Sequence, residues 1–162
     1  MSQLDAKFFK PFVEGTINTL SVQCSLKATT EKPFVKGTQP QPEFAIAGVI
    51  GITSTAFTGT ITLCFPEKVF LGVMGKMLGE THTAITKELQ DGVAELLNII
   101  FGQAKVILNN QGYEIQKAIP TVIVGHKIVT AALTSAPVMV MPFKVEFGEF
   151  HVEISSEAAS MK

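Results

Sequence analysis

Phe8, Phe9, Phe12, Val13, Ile17 and Leu20 recur at intervals of three and four, the repeat of one helix face, so residues 4 to 20 read as an amphipathic helix. Pro11 and Gly15 argue against a straight one. From Ser21 the period changes. Val22, Cys24, Leu26 and Ala28 alternate as in a strand over Ser21 to Thr30, and Thr38 to Pro42, with two prolines and two glutamines, reads as a loop. Two β-rich runs follow, Phe44 to Ile52 and Gly59 to Phe65, separated by Thr53 to Thr58, which predicts an antiparallel hairpin. The first run, FAIAGVIGI, is apolar on both parities, as expected of a strand covered on both faces or of one whose second face meets a partner.

Pro66 and Glu67 open a short helix through Val69, Phe70, Val73, Met74 and Leu78, with Gly79 at its end. A longer helix is predicted from near Thr83 to about Asn109. Its residues Leu89, Val93, Leu96, Leu97, Ile100, Ala104, Ile107 and Leu108 fall in one stripe at roughly 100° per residue. Asn109, Asn110 and Gly112 stop it. The remaining chain reads as strands: Tyr113 to Ile119, Thr121 to Val129, about Ala131 to Phe147, and Phe150 to Ser155, the last two joined tightly through Gly148 and Glu149. The expected architecture is a single α/β domain over residues 1–162, α+β-like, with helices against a sheet that is largely antiparallel in its final portion.

Length and composition sharpen this picture mainly by exclusion. A chain of 162 residues can bury a sizeable core without a staple, and Cys24 and Cys64 sit in apolar segments without metal-ligand spacing, as buried thiols of a reducing compartment would. Lys plus Arg number 13 against 14 Asp plus Glu, a net charge of -1, with no basic run to neutralise phosphates, so nucleic acid is not expected as a partner. The opening MSQLDAKFFK has no apolar h-region, and no apolar stretch of membrane-spanning length follows. The expected location is the cytoplasm, without membrane insertion.

One feature of the long helix is not explained by folding. Asp91, Glu95, Asn98 and Gly102 follow one another at spacings of four, three and four, on the side opposite the Leu89/Val93/Ile100 stripe. Asp91 and Glu95 repel mildly one turn apart, and a glycine in a helix interior costs about 1 kcal/mol relative to alanine. Any helix has a solvated face, and such residues populate it without a function. A glycine beside a carboxylate and a carboxamide nonetheless lets another surface approach the backbone where there is chemistry to meet it.

The stretch from Glu88 through Asp91, Glu95 and Asn98 to Gly102, with Pro120 beyond, resembles the active-site helix of the CheC/CheX/FliY group of chemotaxis phosphatases, and most closely that of CheX. The likeness extends to the opening helix with Asn18, the hairpin carrying Gly59, TITLCF and Pro66, and the short helix ending in Met77, Leu78 and Gly79. The resemblance implies a protein that hydrolyses the aspartyl phosphate of a CheY-type response regulator. By that likeness Glu95 grips the regulator, through the lysine beside its phosphorylation site, and Asn98 orients water in line with phosphorus. Asp91 has a supporting role and Gly102 gives the regulator room. Mg²⁺ and the phosphoacceptor aspartate are expected to come with the partner, with no cofactor or metal of the chain's own.

Two-site members of the group carry a second E-x-x-N on the first helix. Here Glu14 and Asn18 are four apart, so that copy is not intact and one site is expected. The resemblance further implies a homodimer joined through the sheets, for which Phe44 to Ile52 and Pro137 to Phe147 offer apolar material. The alternative is that both runs are ordinary central strands. A second functional class also stays open: a non-catalytic module of the same fold that binds a phosphorylated regulator or another signalling protein.

Other chemistries find little to build on. His82, His126 and His151 show no metal-binding spacing, the glycines form no phosphate-cradling motif, and Ser135, Ser155 and Ser156 lack a nucleophile-elbow context. Met74, Met77, Met139 and Met141 are spaced as core or interface filler.

Overall fold

The computed structural model describes residues 6–131 and 136–158. Helix α1 (Ala6–Cys24) leads through two short strands, β1 (Thr29–Thr30) and β2 (Phe34–Val35), into the hairpin β3 (Phe44–Thr53) and β4 (Phe57–Phe65). Helices α2 (Glu67–Leu78) and α3 (Lys87–Asn110) follow, then β5 (Thr121–Ile128), β6 (Met139–Val145) and β7 (Gly148–Ala158). The strands form one sheet in the order β1-β6-β7-β4-β3-β5, with β2 also pairing β6, and every pairing is antiparallel. The expected α+β architecture is therefore present, with a sheet more uniformly antiparallel than its final portion alone suggested.

All three helices lie on one face of this sheet. Ile46, Ile50 and Ile52 of β3, Ile61, Leu63 and Phe65 of β4 and Phe150, Val152 and Ile154 of β7 alternate inward and are buried with Phe8, Phe12 and Leu20 of α1 and the stripe of α3. Phe8 also meets Phe57 edge to face, with ring centroids 5.0 Å apart. The other parity of β3 packs on the opposite side of the sheet, where Ala47, Phe44 and Cys64 form a small second cluster. Of that parity Ala47 is buried, Ala45 and Val49 are half-buried and Gly51 is exposed, so the chain covers the second face of β3 in part.

That second face also carries a polar network. Lys36 Nζ donates to Glu153 Oε1 at 2.8 Å, Gln41 Nε2 donates to Glu153 Oε2 at 2.8 Å and to His151 Nδ1 at 2.9 Å, and His151 Nε2 lies 2.5 Å from Glu149 Oε2. The Nε2-protonated imidazole satisfies both of its partners. Thr130, just past β5, accepts from Lys36 and donates to Glu153 at 3.0 Å, so the segment after β5 is pinned back across this face. Burial raises the Cys64 thiol well above its ordinary range, with Glu153 adding to the effect and Lys36 opposing it, while burial pushes Cys24 up to about 11. Both cysteines are free.

Several boundaries differ from the sequence reading. Residues 21–24 continue α1, because Cys24 falls one turn after Leu20 and is buried with it; Val22, read as a strand position, is exposed. Ser25, at φ 54, ends the helix, and its amide bonds Ser21 O at 3.1 Å. Tyr113 to Ile119 is no strand: Asn109 holds Ile115 through both its amide and its carbonyl, and Gln116 N bonds Thr53 O. Helix α3 starts at Lys87 rather than near Thr83, where Thr86 Oγ1 accepts from Leu89 N at 3.3 Å as an N-cap. The expected strand from Ala131 to Phe147 is regular only from Met139, and its residues 132–135, Ser135 among them, lie outside the described residues. No helix among the described residues is long and apolar enough to cross a membrane.

Close approach of β4 and β7 depends on Gly59, where a Cβ would fall on the carbonyl oxygen of Ser155. Gly51, on β3, has open space at the same point. Gly59→Ala is expected to lower unfolding stability by about 1–3 kcal/mol, whereas Gly51→Ala costs nothing measurable. Urea denaturation midpoints of the two variants check this.

Candidate functional site

Helix α3 owes its orientation to how it is anchored. Leu89, Val93, Leu96, Leu97, Ile100, Ala104 and Leu108 are fully buried, and β3 meets them at Gly48, where a Cβ would stand 3.2 Å from Leu97 Cδ2 and 3.6 Å from Val93 Cγ2. On its flank, α2 presses Met74 against Gly92, leaving no room for a side chain there. Helix α1 packs antiparallel to α3: Phe8 meets Tyr113 at a centroid distance of 5.7 Å, and Gly15 lies so close to Ile100 that a Cβ would be 3.3 Å from its carbonyl oxygen. With three contacts fixing its roll, α3 can present only one side to water.

That side is the predicted strip. Asp91, Glu95 and Asn98 are all exposed, and Gly102 has nothing within 4 Å of where a Cβ would be. Glu95 and Asn98 are one turn apart on the same face. Among the described residues neither they nor Asp91 makes a side-chain hydrogen bond or ion pair, so a carboxylate and a carboxamide stand ready for an external partner. The arrangement can bind a cation through Glu95 and orient a water or an oxyanion through Asn98. It offers no nucleophile and no proton acceptor at Asn98 itself.

The degenerate pair on α1 has other employment. Glu14 lies 4.0 Å from Lys10 in an exposed pair, while Asn18 Nδ2 donates to Gln103 Oε1 at 3.1 Å and Gln103 Nε2 donates to the buried Thr19 Oγ1 at 3.3 Å. Asn18 is thus a clamp between helices. Among the described residues no group of three or more His, Cys, Asp or Glu is placed to share a metal ion.

Two features escaped the sequence reading. The Lys36–Glu153–Gln41–His151 network joins residues far apart in the chain, and no local spacing signals it. The second is exposed apolar surface on and beside β5: Ile119 is 86% exposed and Val129 84%, with Ile123 and Val124 partly so. Of the two runs named for dimer contacts, β3 lies between β4 and β5 and β6 between β7 and the short β1 and β2, with Ala45, Val49 and Met139 half-buried.

Residues 46–144 match the family model described as chemotaxis phosphatase CheX. Among solved structures, a CheC-like superfamily protein from Shewanella sp. PV-4 superimposes with a TM-score of 0.88 at 30% identity, over 95% of this chain and 99% of that one. A chemotaxis protein CheX from Desulfovibrio desulfuricans is 34% identical, with a TM-score of 0.83 over 93% of this chain and 99% of its own. The CheX of a CheX-CheY-BeF₃-Mg²⁺ complex from Borrelia burgdorferi shares the fold at 19% identity, with a TM-score of 0.78 over 96% of this chain and 99% of that one. No protein with a curated description matches the chain.

Because Gly102 has open space around it and sits inside a regular helix, folding gains nothing from its lack of a side chain. Gly102→Ala is expected to stabilise the protein by roughly 0.5–1 kcal/mol, read as a rise in the denaturant midpoint.

Proposed function

The chain belongs to the CheX family, and from that premise we propose that it is a phosphatase that hydrolyses the aspartyl phosphate of a CheY-type response regulator. The observation that carries the proposal is the shared exposure of Glu95 and Asn98 on one turn of α3, unpartnered within the described chain and with an open approach at Gly102 beside them. The CheX from Borrelia burgdorferi was solved with CheY, BeF₃ and Mg²⁺, which supports a regulator as the partner class here.

An acyl phosphate is already reactive, so placing a water in line with phosphorus and supporting the charge that develops supplies much of the required acceleration. Asn98 enters the regulator's pocket, its carboxamide oxygen accepting a hydrogen bond from the attacking water and its N–H₂ free to donate to a phosphoryl oxygen. Water oxygen bonds to phosphorus, the bond to the aspartyl oxygen breaks, and the regulator's carboxylate leaves with the electron pair. Mg²⁺ and the phosphorylated aspartate come with the regulator, and the metal neutralises charge on the phosphoryl group when bound. Glu95 pairs with the regulator's lysine and holds the two surfaces in register, Asp91 supports the same contact one turn away, and Gly102 keeps the approach open. Asn98 does not act as a general base, since an amide takes no proton near neutral pH.

We further propose that the protein works in the cytoplasm and pairs with a second copy. The contact would lie at β5, which ends the strand order and carries exposed Ile123 and Val124, with Ile119 and Val129 beside it. A β5 contact leaves the α3 strip free.

Phosphate release from an Mg²⁺-loaded, phosphorylated regulator separates the assigned roles. Asn98→Ala is expected to lower kcat on the order of 100-fold with little change in KM. Glu95→Ala is expected to raise KM about tenfold or more with a smaller effect on kcat. Retention of wild-type rates by Asn98→Ala would remove the catalytic assignment, and tight regulator binding without acceleration by the wild type would favour the non-catalytic binding module.

A further inference from the structure

The outer face of the sheet holds a cleft that the α3 strip does not use. Thr60 pairs with Ser155 and Thr62 with Glu153 across β4 and β7. Because Ile61 and Ile154 point into the core, these four side chains share the outer face as a two-by-two polar patch. They floor a cleft of about 280 Å³. Val49 of β3, Ile123 of β5 and Val138 before β6 give it apolar sides. Val129, Thr130 and Ala131 complete the lining, held there by the bonds of Thr130 to Lys36 and Glu153.

One group of the floor is not explained by folding. Ser155 is 2% exposed, yet among the described residues its Oγ has no hydrogen-bond partner. A buried hydroxyl without a partner costs stability that an alanine would not. Beside it, Glu153 Oε1 accepts from Lys36 and Thr130, whereas Oε2 accepts from Gln41 and has capacity for another donor. A serine hydroxyl donates and accepts while a carboxylate only accepts, so the group that complements both is one that accepts and donates, as a hydroxyl does. Charge narrows the class further. Lys36 neutralises Glu153 at 2.8 Å, and no other ionisable side chain among the described residues lines the cleft. The branched apolar sides suit an aliphatic body, and at about 30 Å³ for each water-sized group the cleft admits roughly nine such groups at most.

We propose that this cleft binds a small, uncharged aliphatic alcohol, whose hydroxyl accepts from Ser155 Oγ and donates to the Glu153 carboxylate while its carbon body lies against Val49, Ile123 and Val138. Apolar walls around a few convergent polar groups are the general plan of small-ligand sites. Val129 is 84% exposed, so the cleft opens to solvent on its side. The inference is independent of the phosphatase reading, because the helices that carry the α3 strip lie on the other face of the sheet.

The test titrates the full chain with isoamyl alcohol, isovalerate and isoamylammonium, which share one branched body and differ in charge, and reads amide and methyl NMR shifts. Isoamyl alcohol is expected to shift the resonances of Val49, Thr62 and Ser155 saturably, with a Kd on the order of 1 mM. The two ions are expected to shift none of them. Ser155→Ala is expected to weaken alcohol binding about fivefold while keeping or raising the melting temperature. Thr58→Val, an exposed position of β4 outside the cleft, is expected to bind as the wild type does. Absence of a saturable shift in the wild type, or an unchanged Kd in Ser155→Ala, would overturn the proposal. Tighter binding of isoamylammonium than of the alcohol would overturn the uncharged class. A lower melting temperature in Ser155→Ala would show that ordered water already satisfies the hydroxyl, and would overturn the site. Sedimentation at the same protein concentrations accompanies each titration, and alcohol binding seen only after dilution to the monomer would assign the cleft to a second copy and overturn the proposal.

Discussion

Everything that faces water on α3 is decided by what the helix cannot turn away from. Val93 and Leu97 close on Gly48 of β3, where a methyl group would already crowd them, while Gly92 admits Met74 of α2 and Gly15 of α1 closes on the Ile100 carbonyl. Glycines at three contact surfaces let three elements approach α3 more closely than ordinary side chains allow. Rotating the helix would drive side chains into backbone on one flank and expose Leu96 and Ile100 on another, at a cost of about 25 cal/mol for each Å² of apolar surface returned to water. The exposed pair Glu95 and Asn98 inherits its direction from this packing, and its rigidity as well.

The two faces of the sheet have separate tasks. The inner face is aliphatic and aromatic and carries the helices. The outer face carries the Lys36–Glu153 ion pair, whose carboxylate also accepts from Thr130 and Gln41, while Gln41 bonds on to His151. A buried carboxylate without those partners would be costly, so the network ties the loop before β3 and the segment after β5 to β7 as a unit. Site and network lie on opposite sides of the molecule, so a partner can occupy α3 without disturbing the groups on the back of the sheet.

Much of this was legible in the sequence where periods are long. The stripe from Leu89 to Leu108 spans over five turns, so its phase was unambiguous and the opposite strip of Asp91, Glu95, Asn98 and Gly102 followed from it. Short segments misled. Val22, Cys24, Leu26 and Ala28 alternate as a strand would, yet Cys24 is also one turn from Leu20, and packing of α1 on the sheet favoured the helix. Tyr113 to Ile119 has a strand's composition, but the Asn109 side chain takes both backbone groups of Ile115 before a strand partner can. The exposed apolar surface of β5 was hidden because its strand partner, its end position in the sheet and the segment crossing behind it are all set by residues distant in the chain.

The most direct test is the structure of this chain bound to an Mg²⁺-loaded, beryllofluoride-activated regulator. The expected result places the Asn98 carboxamide within hydrogen-bond reach of a water in line with the beryllium–oxygen bond, and the Glu95 carboxylate on the regulator's lysine. A regulator seated elsewhere on the chain, or an Asn98 side chain too far from that line to hold a water, would contradict it.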